Sequence, residues 1–210
     1  MKELQGTQEY SPSARRFLLQ HGSEEITGIR IQRVPVSSGI TSALNAITLG
    51  TFSKYAKEEG YDKFFHLGLV MQLGGKWYVV EKLSQISISP YIEDHQSSLE
   101  VPIRPTQKGR TFQQFMDLAK KSAGDYTFFT YDPFRNNCQM FVELCLKANG
   151  MWREHQRSFV SQPVEEVIKK LPSYTERFAR TLTDLGSIAE RVVYGAGARG
   201  AVLATIHSLT

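Results

Sequence analysis

The stretch that most constrains the fold of this chain is a pair of β-rich runs around Gly74-Gly75, in KFFHLGLVMQLGGKWYVVEKLSQISIS. Two glycines between such runs suit a two-residue turn with positive φ, which predicts an antiparallel hairpin. With the glycines as the turn, Glu81 lies opposite Gly68. A slip of one residue would move every side chain to the other face, so the predicted site depends on this register.

In this register His66 and Glu81 are diagonal neighbours on one face, about 7–8 Å apart between backbones and within side-chain reach. The other face is predicted to be the core side. Its residues are Phe65, Leu67, Leu69 and Met71. A plainer alternative stays open, because a lone strand histidine is more often structural and Glu81 with Lys82 could form a solvated strand end.

A second constraint is the change from loop to helix in NNCQMFVELCLKANG, residues 136–150. Asn136 or Asn137 is the predicted helix cap, and Gly150 the stop. Cys138 then falls in the first turn, where free N–H groups and the positive end of the helix dipole stabilise a thiolate. Cys145 lies two turns further along among apolar residues, which indicates a packing role.

These are the chain's two cysteines. On one helix they are separated by a rise of about 10 Å, more than the roughly 7 Å between Cα atoms that a disulfide spans. Without a Cys-x-x-Cys motif, a zinc site is not expected. Unpaired thiols favour a reducing compartment. With neither an apolar signal core nor a membrane-length run, the expectation is a cytoplasmic protein, in host cytoplasm or virion if viral.

Cys138, His66 and Glu81 together fit the roles of nucleophile, base and orienting carboxylate. A neighbouring imidazole lowers the pKa of a thiol and relays its proton, and a carboxylate on the far side fixes the tautomer. Backbone N–H groups near the cysteine could bind an oxyanion. The candidates for oxyanion or substrate contact are Gln139, Asn137 and Trp77. No metal and no organic cofactor is implied.

The remaining patterns complete a fold prediction. GIRIQRVPV and YTFFTY predict strands, whereas GITSALNAITLGTFSKYAKEEG, RTFQQFMDLAKKSAG and QPVEEVIKKL predict helices. Together with the hairpin and the helix at Cys138, these elements predict an α+β fold with a central antiparallel sheet packed by helices. We expect an N-terminal arm over 1–27, the catalytic domain over 28–172, and a C-terminal amphipathic helix with a small-residue tail over 173–210.

A strand His, a polar residue on the next strand and an Asn-Cys step opening a helix resemble the circularly permuted papain-fold thiol enzymes. These include permuted NlpC-type peptidases, lecithin:retinol acyltransferase-like enzymes and PPPDE deubiquitinating-type peptidases. The resemblance rests on FFHLGLVMQL, WYVVEKL and NNCQMFVELCLKANG, and covers about residues 28–150. The stretch from IQRVPV to FFHLGLV also resembles uncharacterised members in viral genomes.

That resemblance implies a permuted papain-like fold with Cys138 as nucleophile and His66 as base. Glu81 stands where the acyltransferase-like branch often has His, which lowers the expectation of acyl transfer. The chain also resembles adenovirus-protease and SUMO-protease types, which run His, acid, Cys. YDPFRNNCQ lacks their upstream Gln, and Gln139 replaces their Gly.

The resulting prediction is a cysteine hydrolase, most simply a peptidase or isopeptidase, with a protein or peptide substrate that is ubiquitin-like if the enzyme is deubiquitinase-like. One alternative is a catalytically silent viral structural or interaction protein that docks a partner or virion through residues 174–194. Another is a thiol acyltransferase or lipase-like enzyme. The net charge of +4 and the pI of about 9.0 leave weak nucleic-acid or membrane-surface binding open.

Overall fold

A computed structural model of the 210-residue chain describes residues 10–35, 51–58, 65–83, 85–92, 97–132 and 136–161. Several predicted segments lie outside the described residues. They are the start of the helix predicted at 39–60, the helix predicted from residue 162, and the C-terminal helix and tail with the proposed docking segment 174–194.

Strands and helices alternate irregularly along the described chain. The strands are β1 (Ile26–Pro35), β2 (Phe65–Leu73), β3 (Lys76–Lys82), β4 (Ile86–Pro90) and β5 (Ser97–Glu100). The helices are α1 (Pro12–His21), α2 (Thr51–Glu58), α3 (Phe112–Ala123), α4 (Asp125–Phe129), α5 (Cys138–Ala148) and α6 (Arg157–Val160). Short 3-10 turns cover Pro105–Gln107 and Glu154–Gln156.

The five strands form one antiparallel sheet in the order β4-β3-β2-β1-β5. Gly74 and Gly75 turn the β2–β3 hairpin with φ values of 53° and 78°, the left-handed conformation that a two-residue hairpin turn requires. Glu81 pairs with Gly68. The predicted α+β class, the hairpin and its register are confirmed.

The core lies between one face of this sheet and helices α3 and α5. The predicted core side of β2 is confirmed, since Leu67, Leu69 and Met71 are at most 1% exposed. Phenylalanines from α3 and α5 meet them, among them Phe112, Phe115 and Phe141. The core therefore seats the helix that carries Cys138 directly against the strand that carries His66.

The predicted N-terminal arm contributes an ordered helix. Ser11 caps α1 through its side chain, and the Ser11 amide donates to the Ile86 carbonyl of β4 (3.0 Å). Ala14 is fully buried in the main core. The boundary at residue 27 stays a prediction, but α1 packs on the sheet and β1 begins at Ile26.

YTFFTY was predicted as a strand, and this is wrong: residues 125–129 form the short helix α4. Gly124 ends α3 with a φ of 75° and leads directly into α4, whose first turn holds Asp125, a favourable charge at a helix N-terminus. Thr130 closes the helix by donating to the Tyr126 carbonyl (2.7 Å). Burial of Phe128 beside Tyr10 outweighs the strand preference of these aromatic residues.

Within the described ranges, no helix has both the length and the apolar content that crossing a membrane requires.

Candidate active site

The site begins with the cap of α5. Asn137 is the N-cap in extended conformation, and its side-chain oxygen accepts from the amides of Gln139 (3.0 Å) and Met140 (3.2 Å). Cys138 is therefore the first residue of the helix, as predicted, and is 6% exposed. The sulphur sits where the partial positive charge of the helix start is concentrated.

The hairpin brings His66 and Glu81 together as its register predicted. His66 Nε2 lies 3.1 Å from Glu81 Oε1, with the two side chains 17% and 24% exposed. The approach is within ion-pair distance but is not aligned as an N–H···O hydrogen bond. The pair is therefore an electrostatic contact between the imidazole and the carboxylate.

Cys138 meets His66 beyond the end of the β2–β3 pairing. The pairing stops at Gly68 and Glu81, so residues 65–67 extend β2 past its neighbour. There the His66 side chain and the Leu67 amide lie close enough to the Cys138 sulphur to favour its thiolate form. Since His66 Nε2 lies beside Glu81, Nδ1 is the nitrogen left for the thiol.

Opposite charges stabilise each other across this contact. Burial alone would raise the pKa of Cys138, but the charge of His66, its hydrogen bond and the amides of Leu67 and Gln139 lower the pKa below its ordinary 9.0. Burial likewise opposes a charged His66, yet the charge and hydrogen bond of Cys138, followed by Glu81, raise the pKa of His66 well above 6.5. The arrangement favours a thiolate–imidazolium pair.

Gly68 leaves the space through which Glu81 reaches the histidine. A Cβ at Gly68 would stand 2.8 Å from Val79 Cγ2 and 3.3 Å from Glu81 Cγ. The first distance is shorter than any ordinary carbon contact, so a side chain there would displace its neighbours. Sequence reasoning used Gly68 only to set the register and missed this steric role.

Lys82 was also missed. The alternative of a solvated strand end, left open above, does not hold for Lys82, which is 1% exposed. Its Nζ donates to the Thr127 carbonyl (2.9 Å) and to Asn136 Oδ1 (3.0 Å). The alternation of side chains along β3 could have predicted this burial, since Tyr78, Val80 and Lys82 share the core face.

Trp77 lies at the other end of β3. It shares the sheet face of Glu81 but lies four positions away, about 13 Å along the strand. Its ring stacks on the guanidinium of Arg30 at 4.4 Å and lines an open cleft of about 750 Å³ together with Lys76 and Tyr91. The structure thus brings Cys138, His66, Glu81, Asn137 and Gln139 together, while Trp77 sits apart from them.

No group of three or more His, Cys, Asp or Glu side chains converges to hold a metal ion in the part of the chain that the structure describes. Both cysteines are free thiols, as expected from their spacing. In comparisons with known proteins, no protein-family model, no curated protein and no solved structure matches this chain.

Proposed function

We propose that this chain is a cysteine hydrolase that cleaves an amide or isopeptide bond of a protein or peptide through an acyl-enzyme. The observation that carries the proposal is the polarised contact of Cys138, at the first position of a helix, with a histidine whose other nitrogen faces Glu81. A packing cysteine needs neither partner. The permuted papain-like topology is part of this proposal.

The first half of the reaction follows from the charges. The Cys138 thiolate attacks the scissile carbonyl carbon, and the imidazolium of His66 gives its proton to the departing amine as the C–N bond breaks. Glu81 holds the ring and supports its positive charge. In the second half, His66 takes a proton from water, hydroxide attacks the thioester carbon, and the Cys138 sulphur leaves.

The first backbone amide of α5 is the best candidate to donate a hydrogen bond to the oxyanion of the tetrahedral intermediate. Asn137 already occupies the amides of Gln139 and Met140, so the Cys138 amide is the helix-start donor that remains for a substrate oxygen. In this arrangement Asn137 is a structural cap. The Gln139 amide, although bonded to Asn137, is near enough to the sulphur to help lower the pKa of Cys138.

Electrophilic probes test the proposal. Candidates are ubiquitin-like proteins with a C-terminal electrophile, acyl-type peptide electrophiles and activated acyl lipids, each read by intact mass and peptide mapping. We expect one adduct, on Cys138, that forms with a peptide or ubiquitin-like probe and disappears in Cys138→Ser. Cys145→Ser is the matched control and should label like the unmodified chain.

The outcomes separate the alternatives. Adducts with acyl lipids alone would replace the peptidase proposal with thiol acyl transfer. Reaction with no probe, or equal labelling of Cys138 and Cys145, would contradict catalysis and favour a silent protein that keeps the fold.

A further inference from the structure

Lys82 is the unusual residue that the proposed chemistry leaves unused. A lysine is rarely buried completely, because a desolvated ammonium needs strong compensation. Here its stem passes through the core and its ammonium ends among carbonyl oxygens. Among the described residues, no carboxylate pairs with it. Such a group is costly to stability and calls for a role that offsets the cost.

The ammonium forms a hydrogen-bonded cluster with Thr127 and Asn136. The Thr127 carbonyl accepts from both Lys82 Nζ (2.9 Å) and Asn136 Nδ2 (2.8 Å), and Asn136 Oδ1 accepts from Lys82 (3.0 Å). Asn136 Nδ2 also donates to the Thr130 carbonyl (2.8 Å). These hydrogen bonds join β3, α4 and the residue before the Asn137 cap.

The backbone carries this constraint one step further. Asn136 and Asp132 exchange two backbone hydrogen bonds, of 2.9 and 3.1 Å, which hold Asn136 beside Asp132. Asn136 is followed directly by the cap and by Cys138. Holding Asn136 therefore holds the first turn of α5 relative to β3.

Two adjacent residues of β3 thus contact the two halves of the site, His66 and the start of α5. Glu81 projects to one face of the sheet and contacts His66, whereas Lys82 projects to the other and holds Asn136. Since β3 is a single rigid element, it can fix the separation of base and nucleophile.

We propose that Lys82 is the positioning residue of the nucleophile: its buried ammonium, bonded to Thr127 and Asn136, sets the start of α5 so that Cys138 meets His66. This inference rests on the proposed function. Burial lowers the pKa of Lys82 to about 8, so the ammonium is the main form at neutral pH. The titratable groups around it are Cys145 on α5, which faces it, and Tyr10, which faces Cys145.

The test measures the reactivity of Cys138 towards iodoacetamide across pH, together with its thiolate absorbance. In Lys82→Met, which keeps the apolar stem and removes the charge and the donors, alkylation at neutral pH should slow about tenfold or more and the thiolate titration should move to higher pH. Lys147→Met, on the exposed flank of the same helix, is the charge-matched control and should leave both unchanged.

A double-mutant cycle tests whether Lys82 acts on Cys138 through Asn136. If Lys82 acts through Asn136, the pair Lys82→Met with Asn136→Ala should slow alkylation no more than the stronger single change does. Additive slowing would overturn that route. Cys145 reports folding, since it is fully buried and should stay unlabelled while the fold is intact.

The outcomes distinguish positioning from a purely structural role. A Lys82→Met protein that melts earlier but keeps the wild-type thiolate titration overturns the proposal. If Lys82→Met exposes Cys145 to label, Asn136→Ala decides: a titration moved to higher pH supports positioning, and an unmoved one overturns it. If the unmodified Cys138 is insensitive to His66→Ala, the proposed function itself fails, whatever Lys82 does.

Discussion

Cys138 and Cys145 stand seven positions apart on one helix, both buried, yet their surroundings favour opposite protonation states. Burial raises the pKa of both thiols. At Cys145 that effect prevails, because the charge of Lys82 only partly opposes it, and the pKa rises far above 9.0. At Cys138 a histidine and two amides reverse it.

The comparison shows that burial by itself does not make a nucleophile. What separates the two thiols is the helix start and the strand that lies beside it. Cys145 is two turns along the helix, where the charged group that faces it is the ammonium of Lys82. Each prediction below removes one part of what makes Cys138 different.

His66→Ala should produce the largest effect. Without the imidazolium, burial at Cys138 is no longer compensated, so the pKa of the thiol should rise to its ordinary 9.0 or above. Alkylation by iodoacetamide at pH 6.5 should slow about 100-fold, because a smaller fraction of the thiol is ionised at that pH. The rate–pH profile checks this, and a profile identical to that of the unmodified protein would contradict it. His21→Ala, which removes a partly exposed histidine beside Glu24, is the control.

Lys82→Met should change the pH dependence of stability. The pKa of Lys82 is about 8 in the folded chain and 10.5 ordinarily, so between these values the unfolded chain binds more protons and the unfolding free energy rises with pH. Over this pH range the titration of Lys82 raises the unfolding free energy by about 3 kcal/mol, at about 1.4 kcal/mol per pKa unit. Cys145 acts in the opposite sense, because its raised pKa makes the unfolded chain lose its proton first.

The unmodified chain and Lys82→Met are unfolded with urea at pH 7.5 and at pH 10. The difference between their changes in unfolding free energy gives the contribution of Lys82. The unmodified chain should gain stability relative to Lys82→Met as the pH rises. Parallel changes in the two proteins would mean that Lys82 keeps its proton over this range.

Glu81→Gln should have a moderate effect. The amide keeps the shape of the side chain but removes the charge 3.1 Å from His66 Nε2, so the pKa of His66 should fall. We expect a lower pKa of His66 and about tenfold slower alkylation near neutral pH. NMR titration of the imidazole measures the first. Glu143→Gln, on the exposed side of α5, is the control.

Gly68→Ala should give the smallest effect. The methyl group would press on Val79 and on Glu81 Cγ and shift the carboxylate from His66. A several-fold slower alkylation is expected, with the pKa of His66 moved in the same direction as in Glu81→Gln. Because both changes act through one contact, the double variant should be no slower than Glu81→Gln alone. Additive slowing would show that Gly68 matters for another reason.

Much of the site follows from local signals. The Gly-Gly turn fixes the register, and the register places His66 beside Glu81. The Asn-Asn-Cys step fixes the helix start, although it left Asn136 and Asn137 as alternative caps. The structure gives them different tasks: Asn137 caps α5, and Asn136 binds Lys82.

What the sequence did not reveal depends on contacts between distant segments. Local preference predicted a strand at residues 126–131, but a positive-φ glycine and the burial of Phe128 produce α4. Lys82 alternates onto the core face, yet its charge suggested solvent, because the acceptors that bury it come from residues 45 and 54 positions away. The meeting of α5 with β2 likewise follows from packing.

The most direct test of the central claim compares the two thiols in the native protein. Timed alkylation with iodoacetamide, followed by peptide mapping, should place label on Cys138 on the order of 10³-fold faster than on Cys145, whose exposure requires the fold to open. The Cys138 profile should have an apparent pKa below 9.0. Equal rates for the two cysteines, or a Cys138 that titrates like an ordinary thiol, would contradict the account.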